Sequence, residues 1–512
     1  MTRTRRFLGG FTAGYLHMAV ATAVGLWVTP FLLGRLGGDT YGLWLLGTQV
    51  IAYLLLMDLG IVAVLPRETA YVTGRTGRTD ALELRELVER TMTLAIAQMP
   101  VVLAAAAAAL WWMPQAWAPL FTPLLVVLAV FVATFPLRTF QAALVGLQDL
   151  TFVGSAQFAA WAAGTIVTVA LVINGLSLGA LTAGWCVTQL SMVAACALRL
   201  QREFPAAMPR RLTFGGGGAA KGHVVRSLWV AVSQTAQVLL NGSDVLVIGA
   251  LLGPGAVVPY ACTGKLIAVL ANQPQAILQS AAPALSELRP SADKARLFQV
   301  SAALSQATLA VSGLVVCIVL AANQGFVTWW VGGDQFGGVL LSLLMLAAML
   351  ARHFNTTNVY ALFCFGHERR LALTALADGL VTITSAVVLV HVFGMAGAPL
   401  AALAGVLLVS APLNLRALAA QTGVGRRELV FSLRPWAIRF AMVAVFAAAA
   451  GIVWRPATFA SLGLAVAGIS AVYALAVVTP LLRSPAGAYL QPLIAGVARR
   501  LTPARLRPQW LS

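Results

Sequence analysis

Six ionisable side chains interrupt long apolar stretches of this sequence: Asp58, Arg138, Asp244, Lys265, Arg352 and Asp378. A charge at the centre of a lipid bilayer costs about 2.5–3.5 kcal/mol, so charges retained there serve a function or a fixed pairing. Embedded cations can bind anions such as phosphates, and embedded carboxylates can bind a proton or a metal cation. The residue types therefore predict a polar site of mixed charge within an apolar chain.

The first candidate pair is Asp244 with Lys265. At the rise of an α-helix, both residues lie roughly 12 Å below the same membrane surface. Two interpretations stay open: a fixed ion pair that holds two helices together, or a lysine that is released to bind an anion.

Two arginines occupy matching positions in two similar halves of the sequence. Pro136 is expected to loosen the helix just before Arg138, because proline lacks the amide hydrogen that a helix needs. Each arginine either extends to the cytoplasmic headgroups or lines a polar cavity. Arg138 lies near a helix end, which favours the headgroups, whereas Arg352 lies deeper, which favours the cavity.

Asp58, Asp378 and His17 are, with Asp244, the candidates to bind a coupling ion. Asp58 has Arg67 within reach along the chain, so a local ion pair is the simpler expectation. Asp378 is about 10 Å from the inner end of its helix, where it can bind a cation or a proton. A residue such as His17 is more often a packed, hydrogen-bonded side chain than a proton site.

Polar side chains form stripes on three apolar stretches, one of which is the fifth predicted helix with Gln157, Trp161, Thr165 and Thr168. In the seventh predicted helix, the stripe of Gln234, Gln237, Asn241 and Asp244 has spacings of 3, 4 and 3 positions, which places these residues on one face about 80° wide. Such stripes face a wet cavity or another helix, because unpaired polar groups in hydrocarbon are costly. The substrate-binding candidates are Lys265, Arg352, Arg138, Gln234, Gln237, Asn241, Asn272, Gln275 and Gln157.

The elements that carry these residues are predicted to be transmembrane helices. Of the 512 residues, 60% are hydrophobic and 10% are charged, whereas a soluble chain carries roughly 25% charged residues. Apolar runs of about twenty residues are long enough to cross a bilayer core of roughly 30 Å. We place fourteen helices near residues 8–33, 41–64, 91–111, 118–147, 152–173, 178–198, 227–252, 257–283, 298–320, 337–364, 371–392, 397–415, 435–453 and 459–482.

The basic residues predict the orientation of these helices. Of the 34 Lys and Arg, 28 lie in terminal segments and loops on the side of the N-terminus, and only Arg35 and Arg455 lie in loops on the other side. This bias places both termini in the cytoplasm. The preference for Arg over Lys, with the many Ala and Gly, suggests a GC-rich bacterial genome, so the multi-pass chain is expected in a bacterial inner membrane. The net charge of +18 is spread between apolar runs, which argues against nucleic-acid binding. An outer belt of tryptophans is expected at Trp44, Trp111, Trp112, Trp117, Trp329, Trp330 and Trp454.

An internal repeat predicts the domain organisation. Leu36-Gly37 recurs as Leu252-Gly253, and Arg138-Thr139-Phe140-Gln141 recurs as Arg352-His353-Phe354-Asn355, at offsets of 216 and 214 residues. Six helices in each half make the repeat parallel, with its axis along the membrane normal. We predict a six-helix lobe at 1–210, a cytoplasmic linker at 211–226, a second lobe at 227–425, and two further helices with a basic tail at 426–512.

Other local patterns predict structure rather than chemistry. The glycine run at 215–218 favours a flexible linker, and Asp80 with Glu83 favours a short surface helix. The five cysteines lie in apolar runs without a CxxC pair, so neither a disulfide nor a metal site is expected. No catalytic residue and no cofactor are predicted.

Several motifs of the first hairpin resemble one transporter family. They are Thr29-Pro30-Phe31-Leu32, Arg35-Leu36-Gly37, Tyr41-Gly42-Leu43-Trp44 and Met57-Asp58-Leu59-Gly60, joined in the second half by Asp244, Leu252-Gly253, Tyr260 and Lys265. The pattern is similar to bacterial oligosaccharide flippases, the polysaccharide-transporter branch of the multidrug/oligosaccharidyl-lipid/polysaccharide (MOP) exporter superfamily.

The resemblance implies two six-helix lobes around a cavity, a final hairpin, and no enzymatic activity. It implies transfer of an undecaprenyl-pyrophosphate-linked oligosaccharide from the inner to the outer leaflet by alternating access, for surface polysaccharide biosynthesis. The expected partners are membrane lipid, that lipid-linked sugar, and a polysaccharide polymerase or assembly protein. A peptidoglycan-precursor flippase and a drug/cation antiporter of the same superfamily are the alternatives. A membrane glycosyltransferase or ligase is less favoured, because every predicted outer loop is short.

Overall fold

The computed structural model describes residues 3–55, 60–76, 81–211, 217–274, 278, 294–485 and 487. Every regular element in these ranges is helical. Nine segments in them are long and apolar enough to cross a membrane, and shorter apolar helices lie at Val20–Leu36, Gly242–Leu251 and Pro254–Leu270. The prediction of an all-helical, multi-pass membrane protein with about fourteen helices is confirmed at the level of fold class.

Internal contacts group the chain into two compact units, Met1–Val258 and Pro259–Ser512. The predicted domain boundaries come from the sequence repeat and not from internal contacts, so they stay a prediction. The first unit contains α1 (Arg3–Leu36), α2 (Gly38–Leu54), α3 (Ile61–Thr76), α4 (Ala81–Ala97), α5 (Met99–Trp111), α6 (Phe121–Thr134), α7 (Arg138–Gly146), α8 (Leu150–Ile173), α9 (Leu178–Glu203) and α10 (Gly217–Leu251).

The repeated Leu-Gly motif has one backbone shape in both copies. Gly37 precedes α2 with φ 78° and ψ 165°, and Gly253 precedes a short 3-10 turn with φ 89° and ψ 165°. Side-chain-bearing residues rarely adopt positive φ, so glycine is needed at both corners. The local geometry therefore agrees with the repeat seen in the sequence.

Two glycines allow α8 and α9 to pack closely. A Cβ atom on Gly164 would overlap Thr188 and the Gly184 carbonyl, and a Cβ on Gly184 would overlap Thr168. Small residues spaced by four let helix backbones approach in membranes, where van der Waals contact drives association. The α8–α9 pair is thus built on two such positions.

We expect Gly184→Val to lower the free energy of unfolding by about 1–3 kcal/mol, because a side chain forced into a packed contact strains it. Thermal unfolding of the purified protein in detergent measures the effect. Gly154→Val is the matched control, since a Cβ on this α8 glycine meets no atom within 4 Å. Equal destabilisation by both variants would contradict the close packing.

The second unit is organised around one long buried helix. Its elements are α11 (Val257–Leu270), α12 (Lys294–Val331), α13 (Val339–Cys364), α14 (Glu368–Phe393), α15 (Gly397–Gly405), a π-helical turn (Val406–Ser410), α16 (Ala411–Thr422), α17 (Arg426–Phe431), α18 (Arg434–Val453) and α19 (Phe459–Leu482). The hairpin α18–α19 packs on α12. Trp436 Nε1 donates to the Tyr473 hydroxyl at 3.0 Å, which donates to the Ala310 carbonyl at 2.7 Å.

The described structure differs from the expected short surface helix and flexible linker. α4 begins at Ala81 and its membrane segment continues to Trp111, so the helix is the start of the third span. The carboxylate of Glu89 in α4 accepts the backbone N–H groups of Arg210 at 2.8 Å and Arg211 at 3.1 Å. The linker is therefore anchored up to residue 211, and α10 already begins at Gly217. Residues 212–216 lie outside the described part.

The second predicted helix and the tryptophan belt also differ from expectation. α2 ends at Leu54, and α3 begins at Ile61 beyond the undescribed residues 56–59. Trp117 is only 6% exposed and donates its indole N–H to the Gly249 carbonyl at 3.2 Å. Trp330 is 9% exposed and stacks on Phe326. These two indoles are packing residues, and the exposed side chains that fit a belt are Trp111, Trp112, Trp329 and Trp454.

Candidate functional site

The second unit contains a buried ion pair between two of the predicted candidates. Arg352 of α13 places Nη1 3.4 Å from Oδ2 of Asp378 on α14. The Asp378 side chain is 1% exposed, whereas that of Arg352 is 21% exposed. The carboxylate is thus sealed in the helix bundle, and the guanidinium reaches it from a partly open position.

Both carboxylate oxygens of Asp378 are occupied by hydrogen-bond donors. Thr382, one turn along α14, donates to Oδ1 at 3.1 Å. Ser410 donates to Oδ2, which also faces Arg352. These hydroxyls satisfy part of the negative charge, but only the guanidinium can neutralise it.

Arg352 is held by long contacts. Its second nitrogen, Nη2, donates to the Ala402 carbonyl of α15 at 3.4 Å, the same length as its contact with Asp378. Strong charge-assisted hydrogen bonds are about 2.7–2.9 Å long. The guanidinium is therefore bound more weakly than the buried carboxylate, and it is the partner that can move away.

A widened helical turn positions Ser410 against the carboxylate. The π-helical segment Val406–Ser410 interrupts the twelfth predicted helix between α15 and α16. A Cβ on Gly405 would overlap Asp378 Oδ1 and Thr382 Oγ1, so this backbone approaches the site closely. Single π-turns inside α-helices are frequent at functional sites, which makes the cluster a candidate site rather than a routine packing contact.

Polar residues next to Arg352 extend the network and were not predicted as site residues. His353 is buried, and its Nδ1 lies 2.8 Å from the Ser312 hydroxyl of α12. Asn355 accepts a hydrogen bond from Asn414 of α16 at 3.0 Å. Their signal was already present in the repeated segment 352–355, where three of four residues are polar within an apolar stretch.

Lys265 lies on the open side of α11. Ile267 packs against a cluster that includes Val315 of α12 and Met349 of α13. At 100° per residue, Lys265 lies about 200° from Ile267 on α11. Lys265 is half-buried and Asn272 is exposed. Among the described residues of the second unit, no carboxylate forms an ion pair with Lys265.

The polar stripe of α10 belongs to the first unit. Gln237 is exposed, and Gln234 and Asp244 are half-buried. Asp244 Oδ1 accepts the Val245 backbone N–H at 2.9 Å, and Tyr53 of α2 lies near its charge. The side chain of Asn241 is outside the described part. A pair between Asp244 and Lys265 joins residues of different units and stays a prediction.

Pro136 breaks the fourth membrane segment as expected. α6 ends at Thr134 and α7 begins at Arg138. Thr139 Oγ1 donates to the Pro136 carbonyl at 2.8 Å, which satisfies that group inside the break. The Arg138 guanidinium lies 5.9 Å from the centre of the Phe135 ring. Arg352, its repeat counterpart, sits instead in the unbroken helix α13, so the two arginines have different surroundings.

The remaining predicted residues are divided between α8 and the undescribed part. Gln157 is exposed on α8. Thr168 of the same predicted stripe is buried and donates to the Gly164 carbonyl at 2.9 Å. The stripe therefore has an exposed end at Gln157 and a buried end at Thr168. Asp58, Gln275 and the side chain of His17 lie outside the residues described, and their roles stay predictions.

Solved structures with the same fold are known, although no family model and no curated protein matches the sequence. The lipid II flippase MurJ, in an inward closed conformation, is 9% identical; the alignment covers 85% of this chain and 98% of that one, with a TM-score of 0.53. An inward-facing multidrug resistance MATE family transporter of the MOP superfamily is 14% identical, with 81% and 99% covered and a TM-score of 0.51. The chain therefore has the fold of these two solved transporters, which the resemblance in the first hairpin implied.

Proposed function

We propose that this protein is a transporter that moves an undecaprenyl-pyrophosphate-linked oligosaccharide from the inner to the outer leaflet of a bacterial inner membrane. The observation that carries the proposal is the presence of partly open cations, Lys265 and Arg352, on helices of a MOP fold. A diphosphate binds cations through charge-assisted hydrogen bonds, and arginine presents a planar fork that suits phosphate oxygens. Amides such as Gln237 and Asn272 suit sugar hydroxyls.

Asp378 supports a coupling role within this proposal. When Arg352 leaves Asp378 to bind a diphosphate, the carboxylate stays buried beside Thr382 and Ser410. An uncompensated buried charge is costly, so a proton or a cation must take the place of the guanidinium. Binding of the anionic substrate and binding of the coupling ion at Asp378 would then favour each other.

The charges also weigh the alternatives within the superfamily. A drug/cation antiporter needs free acidic groups for its cationic substrate, whereas the buried Asp378 is already paired with an arginine. A peptidoglycan-precursor flippase is the nearest alternative, because the lipid II flippase MurJ shares the fold. An enzyme is not favoured, because the structural relatives are named as transporters.

Reconstitution into liposomes tests the proposal. We expect the protein to expose an undecaprenyl-pyrophosphate-linked oligosaccharide, loaded on the protein's inner side, to a glycosidase added outside. Vesicles without protein and vesicles loaded with lipid II are the controls. Faster transfer of lipid II than of the oligosaccharide would support the alternative, and efflux of cationic dyes without any lipid transfer would contradict the proposal.

A further inference from the structure

A cavity of about 580 Å³ lies in the second unit, at the end of the α18–α19 hairpin opposite the turn that joins the two helices. It is separate from the Arg352–Asp378 cluster, since none of its lining residues belongs to α13 or α14. The basic residues between helices predict that this end of the hairpin faces the cytoplasm. The cavity therefore opens at the level of the inner-leaflet headgroups.

Two arginines line this cavity from different helices. Arg439 projects from α18 and Arg483 follows the end of α19, and both are exposed. Arg439 Nη1 donates to the Pro435 carbonyl of its own helix at 2.8 Å, and a guanidinium has further N–H donors. Among the described residues, no carboxylate forms an ion pair with either arginine. The cavity therefore carries two positive charges that are open to an anion.

The floor and the outer flank of the cavity differ in chemistry. Trp436 forms part of the floor and is fixed, because its indole N–H is bonded to Tyr473 and its ring stacks on Phe440 at 5.0 Å. Ser432 and Ser484 also line the cavity. Leu475, on the α19 side, is 82% exposed, so an apolar surface continues from the cavity into the lipid region.

We propose that this cavity binds an anionic phospholipid of the inner leaflet, with its phosphate between Arg439 and Arg483. Basic pockets between membrane helices on the cytoplasmic side bind anionic lipid headgroups. The serine hydroxyls suit the glycerol of the headgroup, and Leu475 lies where an acyl chain leaves the cavity. The lipid is bound as a fixed component of the hairpin and is distinct from the transported molecule.

Native mass spectrometry of the full-length protein tests this site. Phosphatidylglycerol and phosphatidylcholine are titrated into delipidated protein, and the dissociation constant of the first bound lipid molecule is measured for each. We expect phosphatidylglycerol to bind at least about tenfold more tightly, and Arg439→Gln with Arg483→Gln to remove that preference. The exposed pair Arg426→Gln with Arg427→Gln, outside the cavity, is the matched control and should keep it.

Three results would overturn the proposal. The first is an unchanged lipid preference in the cavity variant, and the second is an equal loss in the control variant, which would indicate general surface charge. The third is displacement of phosphatidylglycerol by undecaprenyl diphosphate at lower concentration, which would assign the cavity to the transported lipid. Thermal unfolding without added lipid checks that both double variants are folded. The measurement does not depend on transport, so it can fail or succeed independently of the proposed function.

Discussion

Lys265→Ala is expected to reduce transfer of the lipid-linked oligosaccharide at least about 30-fold, because removing one partner of a close charge contact costs roughly 2 kcal/mol or more. The level of folded protein should stay unchanged, since Lys265 faces away from the hydrophobic contacts that Ile267 makes with α12 and α13. Complementation of a flippase-deficient strain and initial rates in liposomes both measure the loss.

The chain contains a matched control for this variant. Lys294 is one of only three lysines, and it lies exposed at the start of α12. Lys294→Ala should transport normally. Full transport by Lys265→Ala would remove Lys265 from the substrate site. Recovery of transport on exchanging the charges, with Asp244→Lys and Lys265→Asp together, would instead indicate a purely structural pair.

Arg352→Gln is expected to lower the free energy of unfolding by about 3–5 kcal/mol, because it leaves the buried Asp378 carboxylate without its cation. Asp378→Asn should cost less, since Arg352 is partly exposed and can reach water. The double variant should cost less than the sum of the two, and the difference is the coupling energy of the pair. Thermal and denaturant unfolding in detergent measure the free energies of unfolding of the unmodified protein, the two single variants and the double variant.

Arg455→Gln is the control for this cycle, because Arg455 is exposed and lies between α18 and α19. Strict additivity of Arg352→Gln and Asp378→Asn would show that the two charges do not interact. The cycle also changes how transport by Arg352 variants must be measured. Because the Asp378 carboxylate is buried, a loss of folded protein is the expected result of removing Arg352. Transport should therefore be compared between Asp378→Asn and the double variant.

Features that repeat along the chain could be read from the sequence. Helical content followed from apolar runs, and the corners at Gly37 and Gly253 followed from a repeated motif. Pro136 predicted the break before Arg138, because the chemistry of proline acts on its own helix. The fold was implied by the resemblance that the motifs of the first hairpin carry. Each of these features is determined by residues that are neighbours in the sequence or that recur at a constant interval along it.

Features that depend on contacts between distant helices could not be predicted from the sequence. Arg352 and Asp378 were each recognised as embedded charges, but their pairing depends on how α13 and α14 pack. Ser410 carried no signal, since the π-turn that aims it at Asp378 is a local change in helix geometry. Trp117 looked like a boundary residue until its hydrogen bond to Gly249 became visible. Burial of one aromatic ring is decided by a partner more than a hundred residues away.

Glu89 holds residues 210 and 211, so only the segment between residue 211 and α10 is left as a connection between this anchor and α10. From residue 211 to the first residue of α10 there are six residue steps, which span at most about 20 Å when fully extended. The sequence had suggested a free connection of sixteen residues, with more than twice that reach. Any displacement of α10 away from α4 is thus limited to the length of this short connection, unless Glu89 releases the two backbone amides. By binding the connecting segment, the single carboxylate of Glu89 thus sets the largest distance that α10 can move.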